Sequence, residues 1–250
     1  MQSVIPAEEK EVTYTEFLPC EALRPFIYCY WELKSPPRNT PFFYRVVADG
    51  CIDLFFEYNN PQMSSLMGYC NTYVEIPIMG AFHYVGVRFL PSAFPLLFGQ
   101  DAFEISAQEI PLREVVPALA TFIAQQLGAP LSLPATAQRL DDYFLRHLSQ
   151  RSLQIDNRFF SALSQILQSK GTIHISELNT GISPRQLRRL FDYYIGDNPK
   201  TFSNIVRFQH ILSAKAYHNH SFLDTYYDQA HFIKSFKTFY GDTPRRVFTE

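Results

Sequence analysis

Cysteine is scarce in this 250-residue chain, and what there is gives no metal-binding spacing: Cys20, Cys29, Cys51 and Cys70 all lie in the first half with no C-x-x-C pair. His83 is the single histidine before residue 110, so nothing nearby completes a zinc set. The four thiols read as reduced and mostly buried, and no metal or other cofactor is expected. No continuous apolar run approaches the length of a membrane span, and Met1 to Lys10 lacks a basic stretch followed by an apolar core. No membrane partner is expected, and the expected location is cytoplasmic. Nucleophile, base and orienting group do not occur together in the first half, which argues against an enzyme. No repeat of solenoid period is present, although two C-terminal segments resemble each other loosely.

A net charge of −2 also lacks a dominant sign, but the two parts of the chain differ. Up to residue 150 there are 9 basic and 16 acidic residues, and after it 13 basic and 8 acidic. A polyanion is attracted by the second part and repelled by the first, which implies a division of labour.

The first part has short β-branched and aromatic runs over 42–47, 52–58, 73–78 and 83–89, separated by turn residues, as in an antiparallel sheet or small barrel. Asp49-Gly50 falls between two runs and supplies the positive φ of a tight hairpin. After Pro111 the period becomes helical, over 112–127 with a break near Pro117, and over 135–148 with Leu140, Phe144 and Leu148 on one face. That stripe covers its own domain, joins the two parts, or pairs two subunits. A further helix, capped by Asp156, carries Phe159, Phe160, Leu163, Ile166 and Leu167.

The basic part carries the strongest signals. Ser183-Pro184 opens a helix, Leu187, Leu190, Phe191 and Tyr194 form its apolar stripe, and Arg185, Gln186, Arg188 and Arg189 fall outside that stripe. An arginine fork suits both guanine edges and phosphates, so this reads as a recognition helix after a Gly181-Ile182 turn; a solvated basic face is the plainer alternative. Downstream, Phe232, Phe236 and Phe239 give a second helix its core face.

Several pieces together resemble the tandem helix-turn-helix domain of the AraC/XylS family of bacterial transcription regulators. They are Leu187-Arg188-Arg189-Leu190-Phe191, Gly196-Asp197-Asn198-Pro199, Arg207-Phe208-Gln209-His210, and the stretch from Tyr226 through Lys237 to Gly241-Asp242-Thr243-Pro244. Pro25 to Trp31, Ala48-Asp49-Gly50-Cys51-Ile52-Asp53-Leu54 and Gly86-Val87-Arg88-Phe89-Leu90-Pro91 resemble the cupin-like domain often found ahead of such pairs. The resemblance implies an α+β chain: a cupin-like antiparallel β-barrel sensor over 1–110, connector helices over 111–150, and an all-α tandem helix-turn-helix domain over 151–250. It implies a sequence-specific regulator with double-stranded DNA as partner, and with a small-molecule effector and a homodimer as further expectations.

Carried over by position, the resemblance puts Arg185, Gln186, Arg188 and Arg189 at DNA in the first motif, with Lys200 near them. Gln229, Ala230, His231 and Lys234 take the corresponding places in the second. Gln229 suits an adenine edge, Ala230 a thymine methyl and Lys234 a phosphate, while His231 reads equally as a structural hydrogen-bonding residue. Asp49, Asp53 and Arg88 become ligand contacts, or else a hairpin turn with a structural ion pair. The chain departs from the family pattern in the helix before each recognition helix. The first is about two residues short after Ser176, and the second, at Asp224-Thr225-Tyr226-Tyr227-Asp228, about five. That shortening implies that Phe232 and Phe236 are partly uncovered or that the recognition helix rotates relative to its partner, and that DNA contact rests mainly on Arg185, Arg188, Arg189 and Lys200. The alternative is a divergent member with impaired DNA binding that works as a sensor or protein-interaction module.

Overall fold

The computed structural model describes residues 11–214 and 229–248. The first part is β1 (Thr13–Phe17), β2 (Ile27–Ser35), β3 (Phe42–Val46), β4 (Ile52–Glu57), β5 (Asn60–Met67), β6 (Val74–Ile78), β7 (Phe82–Phe89) and β8 (Glu109–Pro111). Six strands form one sheet in the order β1-β2-β7-β4-β5-β8, and β3 pairs with β6 in a second. All pairs are antiparallel. Among the described residues the sheets stay separate, so the expected closed barrel is an open pair of sheets. The Asp49-Gly50 hairpin is likewise corrected. β3 pairs with β6 whereas β4 pairs with β5 and β7, so the segment carries the chain from one sheet to the other, with Gly50 at φ +78°.

Strand alternation sends two sets of side chains to opposite faces of the large sheet. Tyr30, Leu54, Phe56, Val85, Val87 and Phe89 face the helices that cover it; Cys29, Trp31 and Leu33 face Phe42 and Tyr44 of the small sheet. The covering helices are α1 (Ala93–Phe98), α2 (Ala102–Ile105), α3 (Leu112–Val115), α4 (Pro117–Gln126) and α5 (Leu133–Ser149). The break near Pro117 separates α3 from α4. The α5 stripe covers its own sheet: Leu140 and Phe144 are fully buried against it.

The second part is α6 (Asn157–Gln168), α7 (Pro184–Ile195), α8 (Pro199–Ala214), α9 (Gln229–Tyr240) and α10 (Pro244–Phe248), with one 3₁₀ turn at Ile175–Glu177. Asp156 caps α6 through the Arg158 and Phe159 amides, and Ser183 caps α7 through Gln186 N at 3.2 Å. Each cap contributes about 1 kcal/mol. Phe159, Phe191, Phe202, Phe208, Phe232 and Phe236 close the helical core. The expectation that Phe232 and Phe236 are partly uncovered does not hold, since both are buried. Asp224 to Asp228 lie outside the described residues. The overall class is a mixed chain with N-terminal antiparallel sheets and C-terminal helices.

Candidate nucleic-acid surface and effector cavity

The two arginine- and lysine-bearing helices have the same internal plan. Helix α7 buries Leu187, Phe191, Tyr194 and Ile195 before Gly196-Asp197-Asn198-Pro199; α9 buries Phe232, Phe236, Phe239 and Tyr240 before Gly241-Asp242-Thr243-Pro244. Counted back from the glycine, the four buried positions coincide. Each glycine has a positive φ, 98° at Gly196 and 93° at Gly241, which ends the helix, and each proline opens the next. Asn198 caps α8 through the Lys200 and Thr201 amides. In this common frame Arg189 corresponds to Lys234 and Arg185 to Ala230.

Arg185, Gln186, Arg188 and Arg189 are exposed on α7, Lys200 on the first turn of α8, and Gln229, Ala230, His231 and Lys234 on α9. Arg188 approaches Asp192 at 3.9 Å one turn on, an exposed and weak pair. The face of α7 that bears Gln186, Arg189, Leu190 and Tyr193 forms a cleft with Asp101 and Phe103 at the start of α2. Half of the expected contact face therefore lies beside an acidic corner of the sheet-bearing part. Burial pushes the Asp192 carboxyl up; Arg188 opposes this, and Asp197 and Asp101 add to it. Before α7, the element expected to be short is the three-residue 3₁₀ turn Ile175–Glu177.

Two family-like residues of α8 have structural roles that sequence reasoning missed. Arg207 donates to the Gly171 carbonyl from Nη2 at 2.7 Å and from Nε at 3.1 Å, holding the turn after α6. Gln209 donates to the Ala48 carbonyl at 2.7 Å and so reaches across to the sheets.

In the first part, the W, DGC-x-DL and G-x-R-F segments meet at one point. Arg88 and Asp53 are directly paired across β7 and β4, and Trp31 is opposite Gly86 across β2 and β7. The indole can lie over β7 because Gly86 has no side chain: a Cβ there would be 2.2 Å from Trp31 Cε2. Trp31 Nε1 then donates to Asp53 Oδ1 at 2.9 Å, and Arg88 Nε donates to both Asp53 oxygens at 3.0 and 3.1 Å. Asp49 accepts from Cys51 N at 2.9 Å and holds its other oxygen 3.8 Å from Arg88 Nε. Burial opposes the Arg88 charge, but Asp53 and Asp49 more than offset it and hold the guanidinium protonated. Burial pushes the Asp53 carboxyl up, with Arg88 pulling against it.

The sequence-expected trio Asp49, Asp53 and Arg88 is thus brought together, with Trp31 as an added member. Asp53 and Arg88 line a cavity of about 120 Å³ between the two sheets. Its apolar wall comes from Leu33, Val46, Phe55, Met67, Ile76 and Ile78, and the exposed Glu109 marks its mouth. The cysteines stay outside this chemistry: burial pushes the Cys29 thiol up to about 12 and Cys70 to about 11, where both are protonated and unreactive. Among the described residues no three His, Cys, Asp or Glu side chains gather as a metal set, and no helix is long and apolar enough to cross a membrane.

A family model described as a domain of unknown function, DUF6597, matches residues 15–111. No curated protein matches the chain. Among solved structures, ToxT from Vibrio cholerae O395 aligns over 96% of this chain and 98% of that one, with 10% identity and a TM-score of 0.41. At that distance the likeness decides nothing about this chain.

Proposed function

We propose that the chain is a sequence-specific DNA-binding transcription regulator of the AraC/XylS type, with an N-terminal cupin-like sensor part, helices over 111–150 that close it, and a tandem helix-turn-helix part over 151–250. The observation that carries this reading is the shared plan of α7 and α9, two twelve-residue helices that bury the same four positions ahead of the same Gly-Asp-x-Pro turn. Such a pair offers two like helices to successive major grooves. Arg185, Arg188, Arg189 and Lys234 neutralise phosphates or read guanine, while Gln186, Gln229, Ala230 and His231 supply the polar and small contacts; Lys200 sits at the start of α8. The cavity at Asp49, Asp53 and Arg88 takes a small-molecule effector.

The reading is tested by selecting DNA fragments with the full-length protein and measuring affinity for the enriched site against salt. Replacing Arg185 and Arg188 by Ala should weaken binding and flatten the plot of log K against log salt by about one unit for each phosphate no longer neutralised. An enriched site whose salt slope is unchanged in the double variant would place α7 away from DNA. One observation favours a second reading, a divergent relative that has kept the architecture as an interaction module: the buttress before α7 is a single 3₁₀ turn. Absence of any enriched sequence would support it.

A further inference from the structure

The two like helices differ in what stands beside them. On α7, Arg189 follows Leu187 by two residues, about 200° around the helix, so it lies opposite the buried stripe and would meet bases first in a groove. On one flank, Gln186, Leu190 and Tyr193 share a cleft with Asp101 and Phe103 that Arg189 also lines, so the start of α2 stands alongside α7 as far out as Arg189. Helix α2 is fixed there. Ala102 is buried, Ser106 Oγ lies 3.1 Å from the Gly196 carbonyl, and a Cβ at Gly196 would be 2.9 Å from the Ala102 carbonyl oxygen. Phe103 is 61% exposed, so it stands clear of the core beside α7.

A major groove is about 12 Å wide, and an α-helix with its side chains is about 10–12 Å across. Such a groove admits α7 by itself and leaves no room for α2 next to it. Charge acts in the same direction, because Asp101 and the exposed Glu104 bring negative charge toward the phosphates that border the groove. Arg185 and Arg188 fall toward the other flank of α7 and do not line the cleft.

Helix α9 is placed differently. Gln229, Ala230, His231, Ile233 and Lys234 are all exposed, and Lys234 occupies the position of Arg189 in the common frame. Thr238, the counterpart of the half-buried Tyr193, is exposed as well. The sheet-bearing part reaches α9 at carbonyls of its last turn, Thr238 and Phe239, from Tyr73 N at 3.2 Å and Ala48 N at 3.1 Å. From Gln229 to Tyr240 the sequence has Lys234 and Lys237 and no acidic residue.

We propose that α9 is the helix that enters a major groove and reads bases, through Gln229, Ala230 and Lys234, while α7 stays at the groove edge and holds phosphates through Arg185 and Arg188. This rests on the DNA-binding reading above. It reverses the sequence expectation that contact rests mainly on the first motif, which took α9 to be poorly buttressed, whereas Phe232 and Phe236 are buried.

The test selects double-stranded DNA from a random pool with the full-length protein, then measures affinity for the enriched site and a scrambled one against salt. One block of preferred bases should emerge. Gln229→Ala should change the bases preferred, and Arg189→Ala should leave them as they are. Arg185→Ala should weaken both sites by the same factor and lower the salt slope by about one. These three residues are exposed, so the variants should keep the melting temperature of the unaltered protein. Asp101→Asn, whose amide oxygen can still accept from Phe103 N and cap α2, should tighten binding about two- to fivefold, most at low salt. Two blocks about 10 base pairs apart, new preferred bases in Arg189→Ala, an unchanged preference in Gln229→Ala, or no tightening in Asp101→Asn would each overturn the proposal and leave a DNA-binding regulator in place. Absence of any enriched sequence would overturn both.

Discussion

Gly86 is where the absence of a single atom organises the cavity. Its missing Cβ lets the Trp31 ring cross β7, and the indole then fixes the Asp53 carboxylate that holds Arg88. Gly86→Ala should push the indole off Asp53, lower stability by about 1–3 kcal/mol and shift Trp31 emission to the red. An unchanged melting temperature and spectrum would show that the ring has another seat. At this scale the sequence was partly legible. Asp49, Asp53 and Arg88 were legible through the family-like segments that carry them, and they do come together. Trp31 lies in another such segment, but its place beside them was not legible, because its hydrogen bond to Asp53 crosses an intervening strand and has no counterpart in local spacing.

Among the elements, helix α5 shows how a buried charge can serve as a tie. Asp141 accepts from the Cys20 amide at 3.1 and 3.2 Å and from the Tyr30 hydroxyl at 2.7 Å, joining α5 to β2 and to the turn before it. Asp141→Asn replaces one acceptor oxygen with a donor and should cost about 1–3 kcal/mol, read as a lower melting temperature. A neutral result would mean that Leu140 and Phe144 hold the helix without it. Strands β3, β4, β6 and β7 and helices α3 to α7 and α9 were legible because period, caps and prolines mark them locally, whereas α8 was legible only as a family-like segment at Arg207 and in fact begins at Pro199. Strand β2 was not, since burial on both faces removes its alternation: Tyr30, Trp31, Glu32 and Leu33 are consecutive and all buried. Strand β5 was hidden by Pro61, Gln62, Ser64 and Ser65, which carry little strand preference and take their place from β4 and β8.

Across the whole molecule, the sheet-bearing part grips both twelve-residue helices at their C-terminal ends. Ser106 Oγ shares its proton between the Ala102 carbonyl at 2.7 Å and the Gly196 carbonyl at 3.1 Å, and Tyr73 N donates to the Thr238 carbonyl at 3.2 Å. Asn71 Nδ2 reaches Asp197 at 2.9 Å, Ala48 N reaches the Phe239 carbonyl at 3.1 Å, and Val47, Ala48 and Tyr69 belong to the helical core. The segment that bears Asp49 is therefore continuous with the joint. The chain should unfold in one transition, with Trp31 emission and helical circular dichroism sharing a midpoint. Gly196→Ala, whose Cβ would lie 2.2 Å from Ser106 Oγ at φ +98°, should separate the two midpoints or lower both. Separate midpoints in the unaltered protein would refute the single body. By itself, the sequence determined the local patterns: two capped or proline-flanked helix units with arginine or lysine outside an apolar face, a β-rich first part, and an uneven charge. Tertiary structure decided that the sheets stay open around a cavity, that Asp49-Gly50 crosses between sheets, that Phe232 and Phe236 are covered, and that Arg189 lies beside Asp101. Those outcomes depend on contacts between residues far apart in the chain, and periodicity within a segment does not encode which distant surface will cover it.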